Sequence, residues 1–113
     1  MYYEKVEKNS VLMLAKKPFG NYIFSILESK RQKESLTICE LNQNELNQFS
    51  ECLFKRINFT KDTFSAKSHE NNYVISYKKE KTEKIACVLS QSDAKELCDE
   101  IQSEIERIKL KSR

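Results

Sequence analysis

Thr37-Ile38-Cys39-Glu40-Leu41-Asn42-Gln43-Asn44-Glu45 returns 48 residues later as Ile85-Ala86-Cys87-Val88-Leu89-Ser90-Gln91-Ser92-Asp93. Cys39 matches Cys87, Leu41 matches Leu89 and Gln43 matches Gln91. Asn42 and Ser90 are both good helix N-caps, and Glu45 and Asp93 follow three residues later, where a capping box places its acid. Beyond the caps the apolar positions stay in register: Leu46 with Ala94, Phe49 with Leu97, Leu53 with Ile101, Ile57 with Ile105. Steps of three and four residues describe one face of a helix. Each stretch therefore reads as a strand, a cap and an amphipathic helix, and the shared register marks an internal repeat.

Working back from each joint, the chain reads as strands. In the first half these are 2–8, 11–17, 22–29 and 35–41, with a turn at Pro18-Phe19-Gly20-Asn21 and a charged tip over 30–34. In the second half they are 59–62, 64–67, 73–79 and 84–89, with turns at 69–72 and 81–83. The fold class predicted is α+β, a four-stranded antiparallel sheet and a helix (ββββα), twice. Residues 1–57 form the first repeat, 58–109 the second, and 110–113 a frayed basic tail. A unit of about 50 residues is marginal alone, so the two halves are expected to cover each other as an intramolecular pseudo-dimer. Residues 46, 49, 53 and 57 and residues 94, 97, 101 and 105 are its predicted buried helix positions. The stripe of the second helix continues to Ile108, which suits it to cap the core or to form a homodimer contact.

Composition narrows the function. The chain has 113 residues, 39% of them hydrophobic and 33% charged, with one Gly and one Pro. This is enough for a thin core and too polar for a membrane span. The start, Met1-Tyr2-Tyr3-Glu4-Lys5, has no apolar export signal. Four cysteines without a Cys-x-x-Cys pair, and a lone His69 in a polar turn, fit a reducing intracellular compartment and small apolar side chains better than zinc or a disulfide framework. Cys39 and Cys87 are expected as matched, buried strand residues. No phosphate loop or nucleophile motif occurs. The chain is read as a non-enzyme without cofactor or metal.

Net charge is only +3, but it is segregated. Lys16, Lys17, Lys30, Arg31 and Lys33 stand against Glu28 and Glu34 over residues 16–35, and Lys78, Lys79, Lys81 and Lys84 against Glu80 and Glu83 over residues 73–89, so the hairpins of both halves are net basic. The second helix sets Lys95 against Asp93, Glu96, Asp99, Glu100, Glu104 and Glu106. Such segregation lets a near-neutral protein present a cationic face to phosphate. Aromatics interleave with these charges: Tyr22, Phe24 and Ile26 share one face of a strand, as do Tyr73, Ile75 and Tyr77. Aromatic rings on a sheet are stacking platforms for unpaired bases.

The stretch Lys16-Lys17-Pro18-Phe19-Gly20-Asn21-Tyr22-Ile23-Phe24-Ser25-Ile26-Leu27-Glu28-Ser29-Lys30-Arg31 resembles the core of a purine-rich-element-binding (PUR) repeat. In that pattern a strand ends in lysine, a glycine turn follows, and an apolar strand closes in Ile-x-Glu. The resemblance covers about residues 6–57. It implies two ββββα repeats joined within one chain, an architecture shared with the Whirly family, and binding of single-stranded DNA or RNA. On the family pattern Lys16, Lys17, Asn21 and Lys30 are the polar contacts. The second copy departs from it, with Asn71-Asn72 in place of the glycine and Ile75-Ser76-Tyr77 in place of Ile-x-Glu. The function predicted is single-stranded nucleic-acid binding through Lys16, Lys17, Asn21, Tyr22, Lys30, Arg31, Tyr73, Tyr77 and Lys78. The alternative is a protein–protein interaction or assembly module on the same fold.

Overall fold

A computed structural model of the chain describes residues 2–7, 10–18, 20–27 and 34–111. Strands β1 (Tyr2–Val6), β2 (Val11–Lys16), β3 (Tyr22–Leu27) and β4 (Leu36–Leu41) lead into helix α1 (Gln43–Lys55). Strands β5 (Phe59–Lys61), β6 (Phe64–His69), β7 (Asn72–Lys79) and β8 (Thr82–Leu89) lead into α2 (Gln91–Lys111). Each set of strands forms its own antiparallel sheet in sequence order. This is the predicted α+β architecture, and the repeat extends into the strand pairings. Tyr22 faces Leu41 as Tyr73 faces Leu89, Phe24 faces Cys39 as Ile75 faces Cys87, and each sheet shifts register immediately afterwards, at Phe24/Ser25 and at Ile75/Ser76. Both cysteines are buried at these bulges.

Both helices start as the sequence specifies. Asn42 accepts from the Glu45 N–H (2.8 Å) while Glu45 accepts from the Asn42 N–H (2.9 Å). Ser90 and Asp93 exchange the same two bonds at 3.2 and 3.3 Å. The ends differ from expectation. Helix α1 stops at Lys55, because Arg56 turns into a left-handed conformation (φ 62°) as its C-cap. That reversal swings Ile57 off the apolar stripe, leaving it 51% exposed instead of buried. The tail is helical as far as Lys111, Ile108 packs against the core and Leu110 is exposed. The β7–β8 hairpin is tighter than the sequence reading: Glu80 and Lys81 both take positive φ, the geometry of a two-residue hairpin turn, so β8 begins at Thr82 rather than residue 84.

The inward faces of both sheets and the helix stripes form one core. At its centre Phe24 of the first sheet stacks on Phe64 of the second, with centroids 5.1 Å apart, and Phe49 of α1 meets Phe24 edge-on at 5.3 Å. Fully burying a side chain of this size stabilises by about 1.5–3 kcal/mol, and here the burial exists only because both halves are present. The polar contacts between halves repeat about a local twofold. Lys5 of β1 pairs with Asp93 (3.0 Å), and Lys61 of β5 pairs with Glu45 (2.9 Å). In each case the first strand of one half neutralises the capping acid of the other half's helix. The Tyr22 hydroxyl crosses to Glu104 of α2 (2.9 Å), and the Tyr73 hydroxyl crosses to the Ile57 carbonyl after α1 (2.8 Å). Ser50 and Cys98, which occupy the same repeat position, meet at 3.6 Å. The local axis therefore passes between the helices there.

Candidate functional site

Strand alternation assigns the faces. Inward rows such as Tyr22, Phe24, Ile26 and Tyr73, Ile75, Tyr77 fill the core. Tyr22, Tyr73 and Tyr77 are 2%, 0% and 3% exposed. No base can stack on any of them, and their expected role as a binding platform is corrected. The reason is the period of two. On β3 and β7 the tyrosine rows are the bulkier and more apolar of the two, and burial selects them. Tyr22 and Tyr73 are framework residues that tie each sheet to the other half. Burial, then the hydrogen bond to Glu104, pushes the Tyr22 hydroxyl up to about 12.

The predicted polar residues do not converge on one surface. Lys17 pairs with Glu40 (2.9 Å), and Asn21 also hydrogen-bonds the Glu40 carboxylate; these partners, Lys17 first, hold it below its ordinary range. The β2–β3 turn thus neutralises its own lysine. Gly20 sits there at φ +153° with open space around its missing side chain, so backbone conformation rather than crowding calls for glycine. Lys16, at the end of β2, is exposed. Lys30 and Arg31 lie outside the described residues. Lys78 is exposed on the outward face of β7, opposite Glu83.

That outward face carries groups the sequence pattern alone did not single out. Cross-strand partners place Ser65, Ser76 and Ile85 in one row and Lys67, Val74 and Val88 in the next, with His69 beyond them at the end of β6. Lys67 and His69 are exposed, and Ile85 is 66% exposed. Together with Val74, Ser76 and Glu83 they line a shallow depression of about 500 Å³. Lys67 has no ion-pair partner among the described residues. The period of two along β6 is the signal that aligns Lys67 with His69. It shows only because the strand runs on to His69 instead of stopping at residue 67. The first sheet's outward face is different. Its central strands present Val11, Met13, Ala15, Ile23 and Leu27, all half-buried, with Ser25 the only polar residue among them.

Buried thiols complete the inventory. Burial pushes Cys39 up to about 11, and burial with the Glu7 carboxylate pushes Cys87 up to about 12. Both stay protonated and act as small core side chains. Among the described residues no helix is long and apolar enough to cross a membrane. No protein-family model, curated protein or solved structure matches the chain.

Proposed function

We propose that this protein binds single-stranded DNA or RNA inside the cell, as its resemblance to PUR repeats implies, through phosphate contacts rather than tyrosine stacking. One observation carries the reading: the outward face of the second sheet bears Lys67, His69 and Lys78, while the acidic helix α2 packs on the opposite, inward side of that sheet through Ala94, Leu97, Ile101 and Ile105. Lys67, His69 and Lys78 share that face with Glu83, and most acids of the second half lie on α2 behind the sheet. A polyanion approaching the outer face meets Lys67 and Lys78 alongside a single facing carboxylate, Glu83, with the helix carboxylates behind the sheet and weakened by salt screening. Four free cysteines accord with a reducing compartment.

The test is titration of labelled single strands and duplexes across a salt series. Single strands should bind more tightly than duplex. Replacing Lys67 and Lys78 together with Ala should flatten the salt slope by about 1.4, at roughly 0.7 for each phosphate no longer neutralised. A wild-type protein that binds no single strand at any salt would reject the reading. The assembly-module reading has its own support in the aliphatic outward face of the first sheet. It predicts no strand binding, and a defect in self- or partner association on replacing Met13 and Ile23 with Lys.

A further inference from the structure

An antiparallel sheet with one face on the core ordinarily turns polar side chains outward. The first sheet does not. Its inward rows fill the shared core, yet the middle of its outward face is aliphatic: Val11, Met13, Ala15, Ile23 and Leu27 around a single Ser25. Val6 and Tyr2 widen it on β1, at 53% and 57% exposed. The acids of this face stand only on the edge strands, and each is engaged. Glu4 on β1 accepts from the Tyr2 hydroxyl at 2.8 Å, and Glu40 on β4 from Lys17 at 2.9 Å. Four strands of about six residues make a face of about 19 by 20 Å, roughly 380 Å² in plan. An exposed apolar patch of that order marks an interaction site.

We infer that this face packs on the same face of a second copy, as a two-sheet sandwich about a twofold axis parallel to the strands. Sheets stacked in this way keep their strands nearly aligned. A twofold in the interface plane runs either across the strands or along them. Across them, β1 lies on the partner's β1, and Glu4 meets the partner's Glu4 as a like-charge pair. Along them, β1 lies on the partner's β4 and β2 on the partner's β3, with the rows in step. The cross-strand rows are Tyr2–Ala15–Ile23–Glu40 and Glu4–Met13–Ser25–Thr37. Read in reverse on the partner, they set Glu4 on a Thr37 hydroxyl, Glu40 on a Tyr2 hydroxyl and Ala15 on Ile23. Each edge carboxylate faces a donor, no two carboxylates face each other, and aliphatic side chains meet in the middle. That self-complementarity favours a second copy over an unrelated apolar surface. The α2 stripe offers no equivalent, because Ile108 already packs against its own core. The pairing does not rest on the single-strand reading: the outward face of the second sheet looks away from the shared core on its other side and stays open in the dimer.

The experiment is sedimentation velocity of the full chain without nucleic acid. The face is smaller than the roughly 800 Å² per partner of a standard interface, so a weak dimer is expected, present at about 300 µM and dissociated at about 1 µM. Thr37→Glu sets a carboxylate on the partner's Glu4 and should weaken the dimer at least about tenfold. Thr37 is exposed on an edge strand, so the variant should keep the wild-type melting curve. Adding Glu4→Lys to Thr37→Glu turns the repulsion into an ion pair and should restore the dimer. The concentration series uses the wild-type protein, so it does not depend on any variant folding. A wild type that stays monomeric at the top of that range would overturn the inference whatever strands it binds. Dimerisation that Thr37→Glu leaves intact, or that Glu4→Lys fails to restore, would overturn it too. A wild-type dimer that responds to both changes and binds no single strand would uphold the inference and overturn the single-strand reading alone.

Discussion

Tyr22→Phe separates a framework tyrosine from a binding tyrosine with one oxygen atom. The ring stays, so packing against the core and any capacity to stack are both retained. What goes is the 2.9 Å bond from the hydroxyl to Glu104, a carboxylate 4% exposed whose other described partner, Arg107, stands 3.8 Å away. Hydrogen bonds to charged groups contribute about 1.5–3 kcal/mol, and stranding a buried acceptor forfeits most of that. With Arg107 offering partial compensation, about 2 kcal/mol is expected. For a chain of this size, a urea m-value of about 2 kcal/mol/M converts this into a midpoint lower by about 1 M. The assay is urea unfolding followed by circular dichroism, in a double-mutant cycle with Glu104→Gln. The two changes should be coupled by at least about 0.5 kcal/mol, as expected of partners in direct contact. Tyr73→Phe, which loses only a bond to the neutral Ile57 carbonyl, should cost about 1 kcal/mol. A Tyr22→Phe midpoint within about 0.2 M of wild type, or strict additivity in the cycle, would refute the cross-half bond and the argument built on it.

Alkali should attack the same residue: the folded Tyr22 hydroxyl titrates at about 12 against an ordinary 10.0, so its contribution is complete below pH 10 and is lost as pH climbs toward 12; a melting series from about pH 9 to 12 in which wild type and Tyr22→Phe lose stability in parallel would contradict this. Acid should act on the two capping carboxylates. Lys5 first holds Asp93 below 3.8, and the Asn42 N–H first, then Lys61, hold Glu45 below 4.5. Their stabilisation is therefore present above those values and is lost as pH falls through the lowered ones, and Asp93→Asn with Glu45→Gln should flatten the acid limb of the stability curve. Phe24→Ala removes the ring at the centre of the shared core and should cost about 3–5 kcal/mol; a loss under about 1.5 kcal/mol in urea unfolding would mean that the core is not centred there. Expressed separately, residues 1–57 and 58–113 should each show a disordered circular dichroism spectrum and recover the native one on mixing.

The architecture was legible because it rests on short-range rules. Caps at Asn42 and Ser90 need only residues three apart, and the stripes from Leu46 and Ala94 need only a period of about 3.6. Boundaries failed where a backbone event outside those rules intervened. The left-handed Arg56 ended α1 before Ile57, and the positive φ of Glu80 and Lys81 drew β8 back to Thr82. The tyrosines mislead for a different reason. Alternation shows that Tyr22 and Tyr73 share faces with Phe24 and Ile75, but a polar tip on an aromatic ring reads equally as a solvent-facing group or as a buried donor with a partner. The partners, Glu104 and the Ile57 carbonyl, belong to the opposite half and are distant in sequence, so no local pattern announces them. The same distance hid the pairing of Lys5 with Asp93 and of Lys61 with Glu45.

Those seam contacts also explain how the two halves can differ in surface while sharing a fold. A pseudo-dimer is held by positions that recur in both copies: capping acid and strand lysine, bulge cysteine, inward tyrosine, the Ser50–Cys98 crossing. Each recurs because a local twofold presents the same problem to both halves. The outward sheet faces touch neither helix nor seam and carry no such constraint. There the copies part: the first sheet's central strands present aliphatic Val11, Met13, Ile23 and Leu27 with Glu4 and Glu40 on the strands beside them, and the second presents Lys67, His69, Ser65, Ser76 and Glu83. A property required by folding should appear twice in this molecule, and a property that appears once is free to serve binding. By that criterion the face of the second sheet is a stronger candidate for recognition than the β2–β3 turn, where Lys17 is already engaged by Glu40 of its own sheet.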